Sequence, residues 1–175
     1  MILAISDVFN FFSKASTKGV DKKTTEKYWK KICAFCTYRE RSTHEVEEKL
    51  KAYGLEEEER IFLIERLQKE SYLDENRFAE VFSRGKFNSR SWGKMKITQA
   101  LRQKGVDPKI GFEALTKIEE EEYEEKAFKV AEKKAESLDL REANQRARLL
   151  RFLISKGYEY DLAYRILSKL SSQDR

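Results

Sequence analysis

Three glycines recur at nearly equal spacing along this chain, and each has the same apolar neighbours. Gly54, Gly105 and Gly157 are separated by 51 and 52 residues. Four apolar positions keep the same offset from each glycine: Val46, Ile97 and Leu149 at −8; Leu50, Leu101 and Leu153 at −4; Ile64, Leu115 and Leu167 at +10; Leu67, Ile118 and Leu170 at +13. A fixed period near fifty residues predicts repeated supersecondary units in series. Such arrays form extended surfaces, so the pattern favours a binding module over an enzyme.

The offsets within one unit predict its local structure. Positions −8 and −4 place two apolar side chains on one helical face, and +10 and +13 do the same for a second helix. The glycine between them is expected just past a helix end, with positive φ. Asp107 and Pro108 follow Gly105 as the cap and first residue of the next helix.

A further helix precedes each of these pairs. Before the second pair, Asp74 is a candidate N-cap, with Phe78, Ala79, Val81 and Phe82 on the inner side. We therefore predict an all-α chain of nine helices in three tandem three-helix repeats, forming an elongated, curved array. The predicted repeats are 24–71, 72–119 and 120–175, each with a modest core and stability of its own. Charged residues at 38% and a single proline are typical of amphipathic helices.

The first 23 residues are predicted to form an N-terminal extension. Segment 1–12 is apolar in patches and reads as a short docking helix or a loosely held extension, not a signal peptide. Segment 14–23 reads as a polar linker. The chain has no apolar run near the ~20 residues that a membrane span needs, so we expect no membrane association.

Cysteine and histidine give little indication of chemistry. Cys33 and Cys36 form one C-x-x-C, which is either a redox pair or half a metal site, or two thiols on the inner face of the first helix. We favour the structural interpretation, since no second pair exists and His44 is the only histidine. His44 lies in an expected capping box, Ser42 to Glu45. We predict neither catalysis nor a cofactor or metal site.

Charge is distributed unevenly along the chain. The net charge is +5, but segment 81–106 contains no acidic residue and these basic ones: Arg84, Lys86, Arg90, Lys94, Lys96, Arg102 and Lys104. Its flanks, 32–80 and 107–140, are acidic, and 141–175 is basic again. Segregated charge indicates a partner of opposite sign. We call segment 81–106 the basic block. Phe87 and Trp92 lie within it, where they either stack on unpaired bases or belong to the core.

Several motifs resemble the RecX family of recombination regulators. They are Arg-Glu-Arg-Ser at 39–42 with Glu45, Leu50 and Gly54, then Leu-Asp-Glu-Asn-Arg-Phe-Ala at 73–79, and Leu-Arg-Gln-Lys-Gly-Val at 101–106 with Gly93, Ile110, Ala114 and Leu115. The resemblance runs from about residue 28 to 170. The chain departs from the family in lacking a second aspartate after Asp74 and in its acidic segment 119–125.

The resemblance implies a cytoplasmic bacterial protein of recombination, DNA repair and the SOS response. Its partner would be RecA, the recombinase that polymerises on single-stranded DNA, whose strand exchange, ATPase and co-protease functions it would inhibit. We expect a monomer and leave direct DNA contact open; the alternative is a stand-alone DNA-binding helical regulator. The expected contact residues are Arg77, Arg84, Lys86, Arg90, Trp92, Lys94, Lys96, Arg102, Lys104, Arg146, Arg148 and Arg151.

Overall fold

The regular elements of the chain are α-helices throughout residues 22–173, the part that this computed structural model describes. In chain order they are α1 (Lys22–Tyr38), α2 (Thr43–Ala52), α3 (Glu57–Lys69), α4 (Glu75–Arg90), α5 (Lys94–Gln103), α6 (Pro108–Thr116), α7 (Glu120–Ala135), α8 (Ala143–Lys156) and α9 (Tyr160–Gln173). Across these described residues there is no strand, which confirms the all-α prediction. The predicted docking segment 1–12 lies outside the described residues. The predicted linker does as well up to position 21, and its last two residues begin α1.

The nine described helices form two compact units, one ending at Glu75 and the other beginning at Asn76. The first unit contains α1–α3, whose core includes Ile32, Leu50 and Leu63. In the second unit one continuous core runs through α4–α9, and it joins Phe87 of α4 to Tyr123 of α7, whose ring centroids lie 6.1 Å apart. The expectation of a separate core for each repeat is therefore wrong for the second and third repeats. The predicted boundaries of the three repeats stay a prediction.

All three glycine turns have the same hydrogen-bond geometry. Gly54, Gly105 and Gly157 have φ values of 77°, 74° and 92°, as predicted. Each glycine N–H donates to the carbonyl three residues earlier, and the next N–H donates to the carbonyl five residues earlier. This pair of bonds is the Schellman motif, which satisfies carbonyl groups left free at a helix end.

The Schellman motif also explains a repeat position that the sequence pattern had not revealed. The residue after each glycine is buried: Leu55 and Val106 are 4% exposed and Tyr158 is 2% exposed. An apolar residue at this position commonly packs against the one five residues earlier. Here those earlier residues are the leucines at −4, which are at most 2% exposed, so their predicted burial is confirmed.

The predicted helix caps are confirmed, whereas one residue predicted to face inward on α4 is not buried. Ser42 and Glu45 form the capping box, with the Glu45 N–H donating to Ser42 Oγ at 3.2 Å. Asp107 accepts from the Lys109 N–H at 2.8 Å. Val81, by contrast, is 55% exposed, so its predicted inward position is wrong. The inner stripe of α4 follows Phe78, Ser83 and Phe87, and residue 81 lies off that stripe at helical spacing.

Truncation of Leu101 tests the shared core. Leu101→Ala removes a buried side chain from the second unit and should lower its free energy of unfolding by about 2–5 kcal/mol. Met95→Ala, on the exposed side of the same helix, should cost less than about 0.5 kcal/mol. The chain has two tryptophans, one in each unit, so Trp92 fluorescence in a Trp29→Phe background reports urea unfolding of the second unit. Equal effects of both substitutions would contradict the assigned burial.

Candidate partner-binding site

Two helix ends meet head to tail inside the second unit. The N-terminus of α5 lies against the C-terminus of α8, and the two ends satisfy each other's backbone groups. Gly93 N–H donates to the Lys156 carbonyl at 2.9 Å, and Met95 N–H donates to the Gly157 carbonyl at 3.1 Å. Such groups have no partner within their own helix. The junction therefore fixes α5 relative to α8.

Both helix ends at this junction need glycine because the backbones touch. A Cβ atom on Gly93 would lie 2.2 Å from the Gly157 carbonyl oxygen, and one on Gly157 would lie 2.3 Å from Lys96 Cβ. The φ of Gly93 is −77°, which any residue adopts. Its requirement for glycine is therefore steric and comes from the third repeat.

Buried tyrosines close the junction on the core side. Tyr123 donates its hydroxyl proton to Glu159 at 2.6 Å and accepts from the Lys94 N–H at 3.0 Å. Burial, and then the bond to Glu159, hold the pKa of Tyr123 far above its usual value. Tyr158 donates to the Ser91 carbonyl at 3.2 Å, and burial raises the pKa of Tyr158 to about 12. Both hydroxyls stay protonated and act as hydrogen-bond donors.

The junction forms the base of a cleft between α5 and α8 with a volume of about 610 Å³. Met95, Gln99 and Arg102 recur at helical spacing on the α5 side, and Ile154 and Ser155 lie on the α8 side. Met95 and Ile154 lie next to the junction, at the floor of the cleft. Met95 is 63% exposed and Ile154 is 41% exposed. We call this the cationic cleft, defined by the lining residues Met95, Lys96, Gln99, Arg102, Ile154 and Ser155.

The cleft takes its charge from two helices that contain no acidic residue. Neither α5 nor α8 has an aspartate or glutamate, whereas together they carry seven cations. Arg148 and Arg151 precede Ser155 at helical spacing, so they continue the same face of α8. Arg102, Arg148 and Arg151 are exposed and form no ion pair with the described residues. Arg90 is also exposed and unpaired, and its carbonyl lies 3.5 Å from Lys156 Nζ at the end of α8.

Other predicted contact residues point elsewhere. Arg84 is paired with Glu122 of α7 at 2.8 Å and donates to the Lys117 carbonyl, and Lys94 is paired with Glu120 at 2.5 Å. Arg146 donates to the carbonyls of residues 140 and 141. Arg77 on α4 and Lys104 after α5 have interactions of their own and do not line the cleft. The basic block therefore does not form a single face, because the acidic start of α7 attracts part of it.

The two aromatic residues of the basic block differ in environment. Phe87 is fully buried, so its core interpretation is correct and base stacking is excluded. Trp92 is half-buried, and Lys86 and Lys96 place their amines 5.2 and 5.1 Å from its ring centroid. Lys96 Nζ also donates to the Ser155 carbonyl at 3.0 Å. Trp92 thus contacts Lys96, which lines the cleft, but Trp92 is not itself a lining residue.

Sequence reasoning missed the apolar members of the cleft. Met95 and Ile154 lie out of phase with the buried stripe of their helices, which follows Ile97 and Leu101 in α5 and Leu149 and Leu153 in α8. The sequence did contain a signal for them, because an apolar residue out of phase with the buried stripe of an amphipathic helix is exposed. In the first unit the equivalent helix, α2, carries three glutamates, so the acid-free character is confined to the later repeats.

The two cysteines of the first unit lie on α1. Cys33 and Cys36 are free thiols, and burial raises the pKa of Cys36 to about 11. A thiol held protonated is a poor nucleophile and metal ligand. Over residues 22–173, no three or more His, Cys, Asp or Glu side chains gather in a way that could hold a metal ion. The helices of the same described part are each too short or too polar to cross a membrane.

Comparison with known proteins places this chain beside regulatory proteins named RecX. Two family models match it, the second three-helix domain of RecX over 74–115 and the third over 120–167. Regulatory protein RecX of Clostridium perfringens is 35% identical over 133 residues, 74% of this chain and 62% of the relative. That of Oceanobacillus iheyensis is 31% identical over 154 residues, 87% of this chain and 57% of the relative. The chain thus spans about six tenths of the length of these curated relatives.

Solved structures agree with the sequence comparisons. The crystal structure of RecX from Lactobacillus salivarius superposes with a TM-score of 0.75 at 26% identity, covering 83% of this chain and 96% of that one. A second crystal structure, of a regulatory protein RecX, gives a TM-score of 0.72 at 23% identity, covering 92% and 84%. The second similarity supports the fold alone.

Alanine substitutions at three glycines separate backbone strain from steric contact. Gly54→Ala meets no atom within 4 Å but keeps a positive φ, so it should cost the first unit about 1–2 kcal/mol. Gly93→Ala has no strain in φ but collides with backbone, which should cost the second unit about 3 kcal/mol or more. Gly157→Ala combines both penalties and should be the worst. Urea unfolding followed by Trp29 or Trp92 measures each; a Gly93→Ala effect smaller than that of Gly54→Ala would contradict the close approach.

The raised pKa of Tyr158 predicts a loss of stability at high pH. The folded protein holds this proton to about pH 12, while the unfolded chain releases it near pH 10. The contribution is therefore complete below pH 10 and falls as pH rises, by at most about 1.4 kcal/mol per pH unit. Tyr158→Phe should show a shallower fall in the free energy of unfolding between pH 10 and 12. Lysine titration is common to both proteins, so identical slopes would refute the prediction.

Proposed function

Because this chain belongs to the RecX family of regulatory proteins, we propose that it binds filaments of the recombinase RecA and lowers their recombination, ATPase and co-protease activities. The observation that carries the proposal is the cationic cleft, where helices of two repeats place exposed arginines on one surface. A filament of RecA on single-stranded DNA presents both protein carboxylates and phosphates. Either would neutralise this surface.

The physical case for a partner rests on uncompensated charge. Arg90, Arg102, Arg148 and Arg151 have no ion pair among the described residues, although the same unit pairs Arg84, Lys94 and Arg165 with glutamates. Like charges held close together repel one another and destabilise the compact state. A partner of opposite sign would relieve that repulsion and would also be attracted over long distances.

The proposed mode of action is binding without chemistry. The protein would act in the cytoplasm as a monomer, needing no cofactor, and would alter RecA by occupying a surface along the filament. Contacts from two repeats would act together, since the second contact forms at high effective concentration once the first is made. The junction between α5 and α8 supports this, because it holds the arginines of both repeats at a fixed separation.

A stand-alone DNA-binding regulator is the second candidate, and the same arginines favour it. It predicts that the protein binds DNA without RecA as tightly as it binds RecA–DNA filaments. With three or four phosphate contacts, log K should fall with log salt at a slope of about −2 to −3 on single strands. Titration of labelled oligonucleotide with and without RecA separates the two candidates.

Charge reversal at the cleft tests the proposed function. The Arg102→Glu/Arg151→Glu variant should bind RecA filaments on single-stranded DNA at least about tenfold more weakly at low salt and should lose inhibition of RecA ATP hydrolysis. The matched control is Lys109→Glu/Lys133→Glu, which makes the same charge change at exposed residues of the same unit. The two measurements are filament co-sedimentation and steady-state ATP hydrolysis.

The outcomes of charge reversal are distinct. Equal loss in both variants would indicate a general charge effect and would contradict a role for the cleft. Absence of binding by the unmodified protein would overturn the proposed function itself. Point reversal is preferable to deletion after Leu138, because the shared core would be opened by removing α8 and α9. We therefore expect that deletion to unfold the second repeat as well as to remove the third.

A further inference from the structure

The floor of the cationic cleft is apolar, which the charge alone does not explain. Met95 N–H donates to the Gly157 carbonyl, and Gly157 N–H donates to the Ile154 carbonyl at 2.9 Å. Met95 and Ile154 are therefore both next to the Gly157 turn, and both line the cleft. Both expose apolar surface in a unit whose other apolar side chains mostly enter one core. An apolar floor of this kind can receive a side chain from outside.

The rim of the cleft selects the charge of what enters. Arg102 lines the α5 side of the cleft, and Arg151 and Arg148 continue, at helical spacing, the face of α8 that bears Ser155. No acidic residue is among the residues that line the cleft. A chain segment lying along the cleft would pass between these cations, so carboxylates before and after its apolar residue would find partners.

The lining chemistry favours a protein segment over nucleic acid. Proteins that hold single strands stack bases on aromatic side chains, and the lining of this cleft includes no aromatic residue. Trp92 lies behind the wall with Lys96 over its ring. Phosphates would pair with the arginines but would leave Met95 and Ile154 uncovered. Methionine is well suited to apolar protein contacts because it is flexible and polarizable.

We propose that the cationic cleft binds an acidic segment of a partner protein and seats one apolar side chain of that segment between Met95 and Ile154. The inference rests on the proposed function where the partner is RecA, and it adds the chemistry of the segment that would be recognised. The arginines would supply attraction and orientation, and the apolar floor would supply discrimination between acidic segments.

Methyl NMR of the intact protein tests the inference directly. The chain has two methionines, so selective ¹³C-methyl labelling gives two signals, and Met95→Leu assigns the one in the cleft. The probes are a short peptide of aspartate and glutamate with one central leucine, the same peptide with glutamine in place of leucine, and an oligo(dT) of similar net charge. The leucine peptide should shift the Met95 signal and bind about tenfold more tightly than the glutamine peptide.

Substitution of the floor supplies the second measurement. Ile154→Ser should abolish the difference between the two peptides while leaving the weaker, charge-driven binding. Val81→Ser is the matched control, an exposed β-branched residue of the same unit outside the cleft. Equal affinity of the two peptides would overturn the proposal, and so would an oligo(dT) that shifts Met95 as strongly as the leucine peptide does. The proposal would also be overturned if sedimentation showed a dimer of the unmodified protein and a monomer of Ile154→Ser, because a second copy of the chain would then occupy the cleft.

Filament binding separates this inference from the proposed function. Ile154→Ser should weaken binding to RecA filaments several-fold with an unchanged salt dependence, whereas Arg102→Glu/Arg151→Glu should reduce that dependence. If the unmodified protein binds the filament and Ile154→Ser has no effect, the apolar floor is not used. If the unmodified protein does not bind the filament but discriminates between the peptides, RecA is the wrong partner, while the proposed recognition of an acidic segment by the cleft is supported.

Discussion

The close backbone contact between Gly93 and Gly157 is the constraint on which the second unit depends. It allows two N–H groups at the start of α5 to bond carbonyls at the end of α8, so the two helix ends cap each other in part through their own backbones. No residue larger than glycine fits at either position. The charge at the two ends is also compensated, because the positive end of one helix dipole faces the negative end of another. The second and third repeats consequently share one core.

The same junction explains why the exposed cations gather where they do. α5 and α8 are the equivalent helices of two successive repeats, and their ends are held together, so their acid-free faces border one cleft. Around them, the acidic start of α7 pairs with Arg84 and Lys94 and removes those cations from the surface available to a partner. The basic residues of the second unit thus fall into two groups. Some form ion pairs within the unit, and others are exposed without an ion pair among the described residues.

The sequence was most informative about features that depend on neighbours along the chain. The positive φ of three glycines, the capping box at Ser42 and the cap at Asp107 are local, because the groups that form them lie within six residues of one another. Burial of the phased leucines was also predictable, since helical periodicity alone places them on one face. Val81 shows the limit of that reasoning, because the width of an inner stripe depends on which helices pack against it.

The sequence by itself determined the helices, their glycine turns and the membership of each apolar stripe, because these follow from backbone conformation and periodicity. Only the tertiary structure decided that two repeats share a core, that Gly93 is required by a residue 64 positions away, and which arginines remain unpaired. Those outcomes depend on contacts between segments far apart in the chain. Met95 and Ile154 illustrate the difference: each is one apolar residue out of phase in its own helix, and only the end-to-end contact of α5 with α8 brings them to the same cleft.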